Sequence, residues 1–158
     1  MENQEYQGKI YLCNTADDIG LLVESVSRAN TKDSLVQIFN PKHIINEFHI
    51  RAAYMNTIIT FADGSNIAKK EGTELLLFAA MTTQINYAFD ILGVRDTKNF
   101  ILFSNNPKYP EKLKNVNVSE FKPSIADIEK NAMSFGIKFK TEIELNKKIL
   151  LNMVKSRI

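Results

Sequence analysis

Apolar and polar positions follow several rhythms along this chain, and each rhythm predicts a kind of element. Lys9 to Cys13 alternates with a period of two, placing Ile10 and Leu12 on one face of a first strand. Leu35 to Phe39 predicts a second strand, Phe100 to Phe103 a third that is buried, and Val116 to Phe121 a fourth. Between the first two, Thr15 and Asp18 form an acidic version of a capping box. Ile19, Leu22, Val23 and Val26 then make the stripe of a helix. Asn40-Pro41 opens the longest periodic segment, with Ile44, Phe48, Ala52, Met55, Ile59 and Ala62 spaced by fours and threes until Gly64. From Leu75 to Met81 the chain is apolar without interruption. It breaks at Thr82, Thr83 and Gln84, then resumes helical spacing with Ile85, Ala88, Phe89 and Leu92 before Gly93.

Two further helices follow a polar loop at Asn105 to Asn115. Ser124 and Asp127 start one, carried by Ile125, Ile128 and Ala132 and stopped by Gly136. Thr141 and Glu144 form a full capping box for the last, whose apolar residues are Leu145, Ile149, Leu150, Met153 and Val154. The strand-helix-strand opening suggests a crossover unit, although other pairings stay open in a small sheet. Because the helices cluster instead of alternating with strands, the expected class is α+β. The expectation is a two-layer domain, a small mixed sheet covered by about six helices with a central three-helix segment, and one domain over residues 1–158.

Composition narrows the function more than the fold. With 158 residues, 44% hydrophobic and 24% charged, the chain has the material for a core without disulfides or metal. Its single cysteine, Cys13, excludes an internal disulfide and a cysteine zinc cluster, and it reads as a buried structural thiol in a reducing compartment. A net charge of +2 neither demands nor forbids a nucleic-acid partner. No apolar run approaches the roughly 20 residues that span a bilayer, and no charged-then-apolar leader opens the sequence, so a soluble, cytoplasmic protein is expected. Phosphate loops, dinucleotide fingerprints, HExxH, CxxC and GxSxG are all missing from the sequence. His43 and His49 are six residues apart, which on a helix turns them away from each other; each reads as a surface or half-buried residue, not a metal ligand. Asp17, Asp18 and Glu74 read as charges favourable to helix N-termini. No catalytic residue, cofactor or metal is expected.

One place for a ligand survives. The helix start at Thr82 to Asn86 offers backbone N–H groups, two hydroxyls and an amide, the equipment with which helix ends hold phosphate. Lys69, Lys70 and Asn66 lie one helix earlier, and would face the same groove if the apolar helix folded back beside its connection. The same threonines would serve as plain caps, and the lysines as a solvated loop.

The segment "NIAKKEGTELLLFAAMTTQINYAFDILGV", Asn66 to Val94, resembles the core signature of the TPRKB / CGI family, the small regulatory, kinase-binding subunit of KEOPS. That complex installs threonylcarbamoyl on adenosine in the tRNA anticodon loop. The resemblance rests on Asn66 and Ala68, Glu74 with Leu75 to Phe78, Gln84-Ile85, Ala88 and Gly93, preceded by a helix with Ala52 and Ala53. It implies a non-catalytic subunit that binds and stimulates a small atypical kinase. It further implies capture of the single-stranded CCA end of tRNA and, indirectly, association with the other KEOPS subunits. On that basis Asn66, Lys69, Lys70, Thr82, Thr83, Gln84 and Ile85 are the candidate RNA-binding residues. The last helix, with Ile149, Leu150, Met153 and Val154, is the candidate kinase-binding surface. Met81 and Thr83 stand where many members have glycine and arginine, so phosphate contacts would rest on backbone N–H groups and nearby lysines. The competing expectation is a small enzyme or phosphate-ligand-binding domain using the helix N-terminus near Thr82.

Overall fold

The computed structural model of the chain describes residues 8–106, 113 and 115–158; most of the polar loop expected at Asn105 to Asn115 lies outside them. In chain order the described elements are β1 (Lys9–Thr15), α1 (Ile19–Ala29), β2 (Val36–Phe39), α2 (Glu47–Asp63), α3 (Glu71–Ala80) and α4 (Ile85–Leu92). They continue with β3 (Phe100–Ser104), β4 (Val116–Glu120), α5 (Ile125–Met133) and α6 (Glu142–Lys155). The class is α+β, and α2, α3 and α4 are the central three-helix segment. The chain divides into two compact units, one of residues 1–41 with 93–121 and the other of residues 42–92 with 122–158.

The first unit holds the sheet. Its strand order is β2-β3-β1-β4, and every neighbouring pair is antiparallel, so the sheet is antiparallel and not mixed. Since β1 and β2 both run against β3, they are parallel to each other with β3 between them. The strand-helix-strand opening is therefore a split crossover. Tyr11 and Cys13 of β1 share a face with Val36 and Ile38 of β2 and with Phe100 and Leu102 of β3, and α1 lays Leu22 and Val26 on that face. Burial pushes the Cys13 thiol up to about 12 against the opposing pull of a hydrogen bond with the Leu102 backbone, so it stays protonated and unreactive. The α1 cap is Asp18, not Thr15: its carboxylate accepts from the Leu21 N–H at 2.9 Å. Thr15 is still extended as the last residue of β1, opposite Val116, and its hydroxyl donates to the Asn115 carbonyl. Ile19 and Val23, expected in the α1 stripe, are exposed.

The second unit is helical. α2 begins at Glu47 with Asn46 as its cap, the Asn46 side chain accepting from the His49 N–H at 2.9 Å, while Pro41–His43 forms a separate 3-10 turn. Asn40 thus opens the turn and not the helix. Gly64 ends α2 in the left-handed conformation at φ 77°. The buried side of α2 carries His49, Ile50, Ala52, Ala53, Tyr54 and Thr57; of the expected stripe Ile44 and Ala52 are buried, Phe48 is half-buried, and Met55 and Ile59 face outward. α3 is buried from Glu74 to Ala80 on all sides, as a continuous apolar run requires. Ser124 caps α5 by accepting from the Asp127 N–H. Thr141 caps α6 by accepting from the Glu144 N–H at 3.2 Å; Glu144 returns to the N–H of Lys140, one residue before the cap.

Candidate functional site

The break after the apolar run is a built turn. α3 closes with the Thr82 N–H donating to the Leu77 carbonyl and the Met81 N–H to the Phe78 carbonyl, the paired bonds of a Schellman motif. That motif puts Met81 in the left-handed region, φ 56° and ψ 44°, a position at which glycine is the easy residue. The Thr82 hydroxyl then accepts from the Gln84 N–H at 3.1 Å, and the Gln84 carbonyl accepts from the Ala88 N–H as the first bond of α4. α4 leaves at 74° to α3. Thr83, Gln84, Ile85 and Asn86 are exposed at the outer corner, where the first N–H groups of α4 have no acceptor within their own helix. Ile85, spaced as a core residue, is 41% exposed, and Phe89 one turn on is also outside; Ala88 and Leu92 carry the buried side.

Two buried polar groups fix the ends of α3, His49 at the turn and Glu74 at the start. His49, fully buried, has its Nδ1 accepting from the Ile45 N–H at 3.0 Å. Because an amide can only donate, Nδ1 carries no proton, and Nε2–H donates to the Ala79 carbonyl at 2.7 Å. This neutral tautomer ties the start of α2 to the last turn of α3, and burial holds its pKa down to about 4 despite the upward pull of the Ala79 carbonyl. His49 is therefore a core residue and not a surface or half-buried one. His43, in the 3-10 turn, is half-buried.

Glu74 is the second group. It is not simply a charge favourable to the helix dipole: its carboxylate is fully buried and accepts from the Thr60 hydroxyl at 2.8 Å and from the N–H groups of Ile67 and Ala68. Arg157 completes the cluster. Its Nη1 donates to Oε2 at 3.2 Å, and Nη2 stands 3.1 Å from Oε1 as an ionic contact without hydrogen-bond alignment. The guanidinium lies 3.9 Å above the Phe78 ring. Burial pushes the Glu74 carboxyl up, but Arg157, the backbone and Thr60 together hold it below the usual carboxylate range.

The expected RNA-binding residues do not form one cluster. Lys69 and Lys70 are exposed at the start of α3, and Thr82 to Ile85 lie beyond its other end, so about 15 Å of helix separates them. α3 does not fold back beside its connection. Asn66 is half-buried and spends its amide on the Ala68 carbonyl at 2.8 Å, shaping the loop that wraps Glu74. The turn has other company that spacing did not reveal. An open cavity of about 450 Å³ adjoins Met81, lined also by Tyr87, Phe135, Asn152, Lys155 and Ser156. The chain from Glu142 to Ile158 is rich in basic residues, Lys147, Lys148, Lys155 and Arg157, and the structure sorts them: Arg157 is committed to Glu74, and Lys148 to Glu144 and the Lys138 carbonyl. Lys155 is the member that faces the cavity. Of the expected partner residues, Ile149 and Met153 are fully buried, while Leu150 and Val154 are exposed at 41% and 54%. Among the described residues no group of three or more His, Cys, Asp and Glu side chains is placed to hold a metal ion, and no single helix is long and apolar enough to cross a membrane.

A family model described as "Kinase binding protein CGI-121" matches residues 17–154 of the chain. Among curated proteins none matches.

Proposed function

Because the chain belongs to the CGI-121 family of kinase-binding proteins, we propose that it acts as the non-catalytic accessory subunit of KEOPS. In this reading it binds and stimulates the small atypical kinase in the cytoplasm. It also helps recruit tRNA, through the single-stranded CCA end, for threonylcarbamoyladenosine modification. The kinase role follows the family; the RNA role is supported by one observation, the open cavity beside the α3–α4 turn. That cavity combines a cation, Lys155, with two aromatic rings, Tyr87 and Phe135, and the amide of Asn152. A single-stranded end needs this mixture: a positive charge for phosphate, flat apolar faces for bases, and few base-reading groups. The N–H groups of Ile85 and Asn86 open α4 on the adjoining corner, where Thr83 and Gln84 present their side chains; the N–H groups of Thr82 and Gln84 are already bonded to the Leu77 carbonyl and the Thr82 hydroxyl. Lys69 and Lys70, at the far end of α3, would meet a phosphate several nucleotides away or none.

Fluorescence titration with intact tRNA and with tRNA lacking CCA tests the RNA role. Removal of CCA should weaken binding, and Lys155→Ala should weaken it further while lowering the slope of log affinity against log salt by about 0.7, the release expected for one contact to a single strand. Equal affinity for the two RNAs would overturn the CCA reading. Binding of a mononucleotide or inorganic phosphate as tight as that of tRNA would favour a phosphate-ligand domain. Stimulation is tested separately, by the ATPase rate of the purified kinase with and without the chain.

A further inference from the structure

The two edges of the sheet are finished differently. At the β2 edge the Leu35 carbonyl accepts from the Asn105 N–H on the β3 side, and backbone groups alternate along a strand, so those of Val36 and Ile38 point outward. Side chains of the same unit occupy them. Asn30 accepts from the Val36 N–H at 3.0 Å and donates to the Val36 carbonyl at 2.8 Å, and Gln37 accepts from the Ile38 N–H at 2.9 Å. The β2 edge is thereby closed to a further strand.

The β4 edge is left open. Carried through the registers of β3 and β1, the same alternation makes Leu12 with Ser119 and Asn14 with Asn117 the hydrogen-bonded pairs between β1 and β4. The Ser119 hydroxyl agrees, donating to the Leu12 carbonyl on that side. The N–H and C=O of Val116 and Val118 therefore face outward, and among the described residues neither a strand nor a side chain bonds them. Asn117, Val118, Ser119 and Glu120 are all exposed, Val118 at 45%. No proline, lysine or bulge interrupts the strand.

We infer that β4 is a dimerisation edge, pairing antiparallel with β4 of a second copy of this chain about a two-fold axis through Val118. An open edge recognises an extended backbone, and the sequence of β4 is complementary to itself. In this register all five residues of the strand find a partner: Val118 meets Val118, Val116 meets Glu120, and Asn117 meets Ser119. The valines lie on the face that carries Cys13, where Val116 already packs against the core, and the amides and hydroxyls share the other face. No charge stands opposite its like. Moving the centre to Glu120 would set two carboxylates against each other, and any other move shortens the paired stretch. Pro123, which has no N–H, stops the ladder from running on. Two four-stranded sheets then become one continuous sheet. A strand from another protein would meet the same backbone groups, but the matched register belongs to a second copy. The inference draws on neither the kinase nor the RNA reading.

The test follows the full-length chain by sedimentation velocity over a concentration series, with backbone amides read by hydrogen exchange. The wild type should pass from monomer to dimer as concentration rises. The Val118 amide should gain protection in step, while those of Asn117 and Ser119 are protected throughout. Val118→Pro should abolish the dimer and keep the thermal midpoint close to wild type, because the N–H it deletes faces outward. Val118→Lys and Val118→Glu should each weaken dimerisation about tenfold, since each sets like charges together on the axis. An equimolar mixture of the Lys and Glu variants should recover the dimer, with opposite charges now facing. A wild type that stays monomeric to its solubility limit overturns the inference, as does a dimer that survives in all three variants. A dimer lost in each variant and not recovered on mixing refutes the register about Val118. Should Val118→Pro fail to fold, the Lys and Glu variants and their mixture decide the matter.

Discussion

Acid should loosen this protein well before its carboxylates titrate, and His49 is the reason. The ring is fully buried, its Nδ1 is occupied by the Ile45 N–H and its Nε2 proton by the Ala79 carbonyl. Adding a proton at Nδ1 would set two donors against each other and bury a charge, so the folded-state pKa falls to about 4, whereas in the unfolded chain it returns to 6.5. Between those values the unfolded chain binds a proton that the folded chain refuses. The contribution is therefore fully present above 6.5 and is lost progressively as pH falls toward 4. From about pH 7.5 to about pH 5 the loss works out to about 2 kcal/mol from this one group. A depressed carboxylate such as Glu74 loses its contribution only near and below its unfolded value, so most of it is still present at about pH 5. His43 shifts in the same direction, chiefly from partial burial with a smaller push from Lys42, so the comparison is best made in a His43→Gln background. Urea unfolding followed by far-UV circular dichroism, at both pH values, should give about 2 kcal/mol more acid loss with His49 than with His49→Gln. The variant will be less stable at neutral pH, but its slope against pH is the readout. Equal slopes would refute the neutral, doubly bonded imidazole.

Three further outcomes follow from other contacts. Arg157→Ala leaves the Glu74 carboxylate buried without its cation and should cost about 3 kcal/mol by chemical denaturation, with Arg157→Lys recovering only part because an ammonium cannot both bond Glu74 and lie flat on the Phe78 ring. Met81→Gly removes a left-handed side chain and should raise stability by about 1 kcal/mol, read as an increase of about 3 °C in thermal midpoint. Thr141→Ala removes the α6 cap and should cost about 1 kcal/mol, while Thr141→Asp should restore most of it.

Local signals were legible where the deciding interaction lies within a few residues. The caps at Ser124 and Thr141, the glycine stop at Gly64 and the buried character of α3 all follow from side chains bonding their own turn or from an unbroken apolar run. The cap of α2 was misplaced because Asn40 and Asn46 are equally good caps by composition; the choice is made by His49, whose N–H the Asn46 side chain accepts while its ring bonds Ile45. α2 has apolar residues on every side, so the single stripe read from spacing, Ile44 to Ala62, missed the buried side that runs through Ile50, Ala53 and Tyr54; only tertiary neighbours select it. The candidate site was half legible. Thr82 to Gln84 form a shaped turn, as an apolar run broken by threonines suggests. Lys155, Phe135 and Asn152, by contrast, reach that turn through tertiary folding of α5 and α6, which no spacing within residues 66–94 encodes. Glu74 looked like a dipole charge because its partner, Arg157, is 83 positions away.

The interleaving of the two units sets the order in which they can be made. β1 must wait for β3 and β4, which emerge only after all of α2, α3 and α4 have been synthesised. The helical unit in turn waits for α5 and α6 and for the Arg157 that neutralises Glu74. Neither unit is a continuous stretch of chain, so neither can be expressed by simple truncation, and a cut anywhere between residues 42 and 121 leaves both incomplete. Sheet pairing over such separations is slow relative to local helix formation. A nascent chain halted after α4 would therefore carry the apolar α3 with Glu74 unpaired and β1 without partners, the state most in need of a chaperone during synthesis.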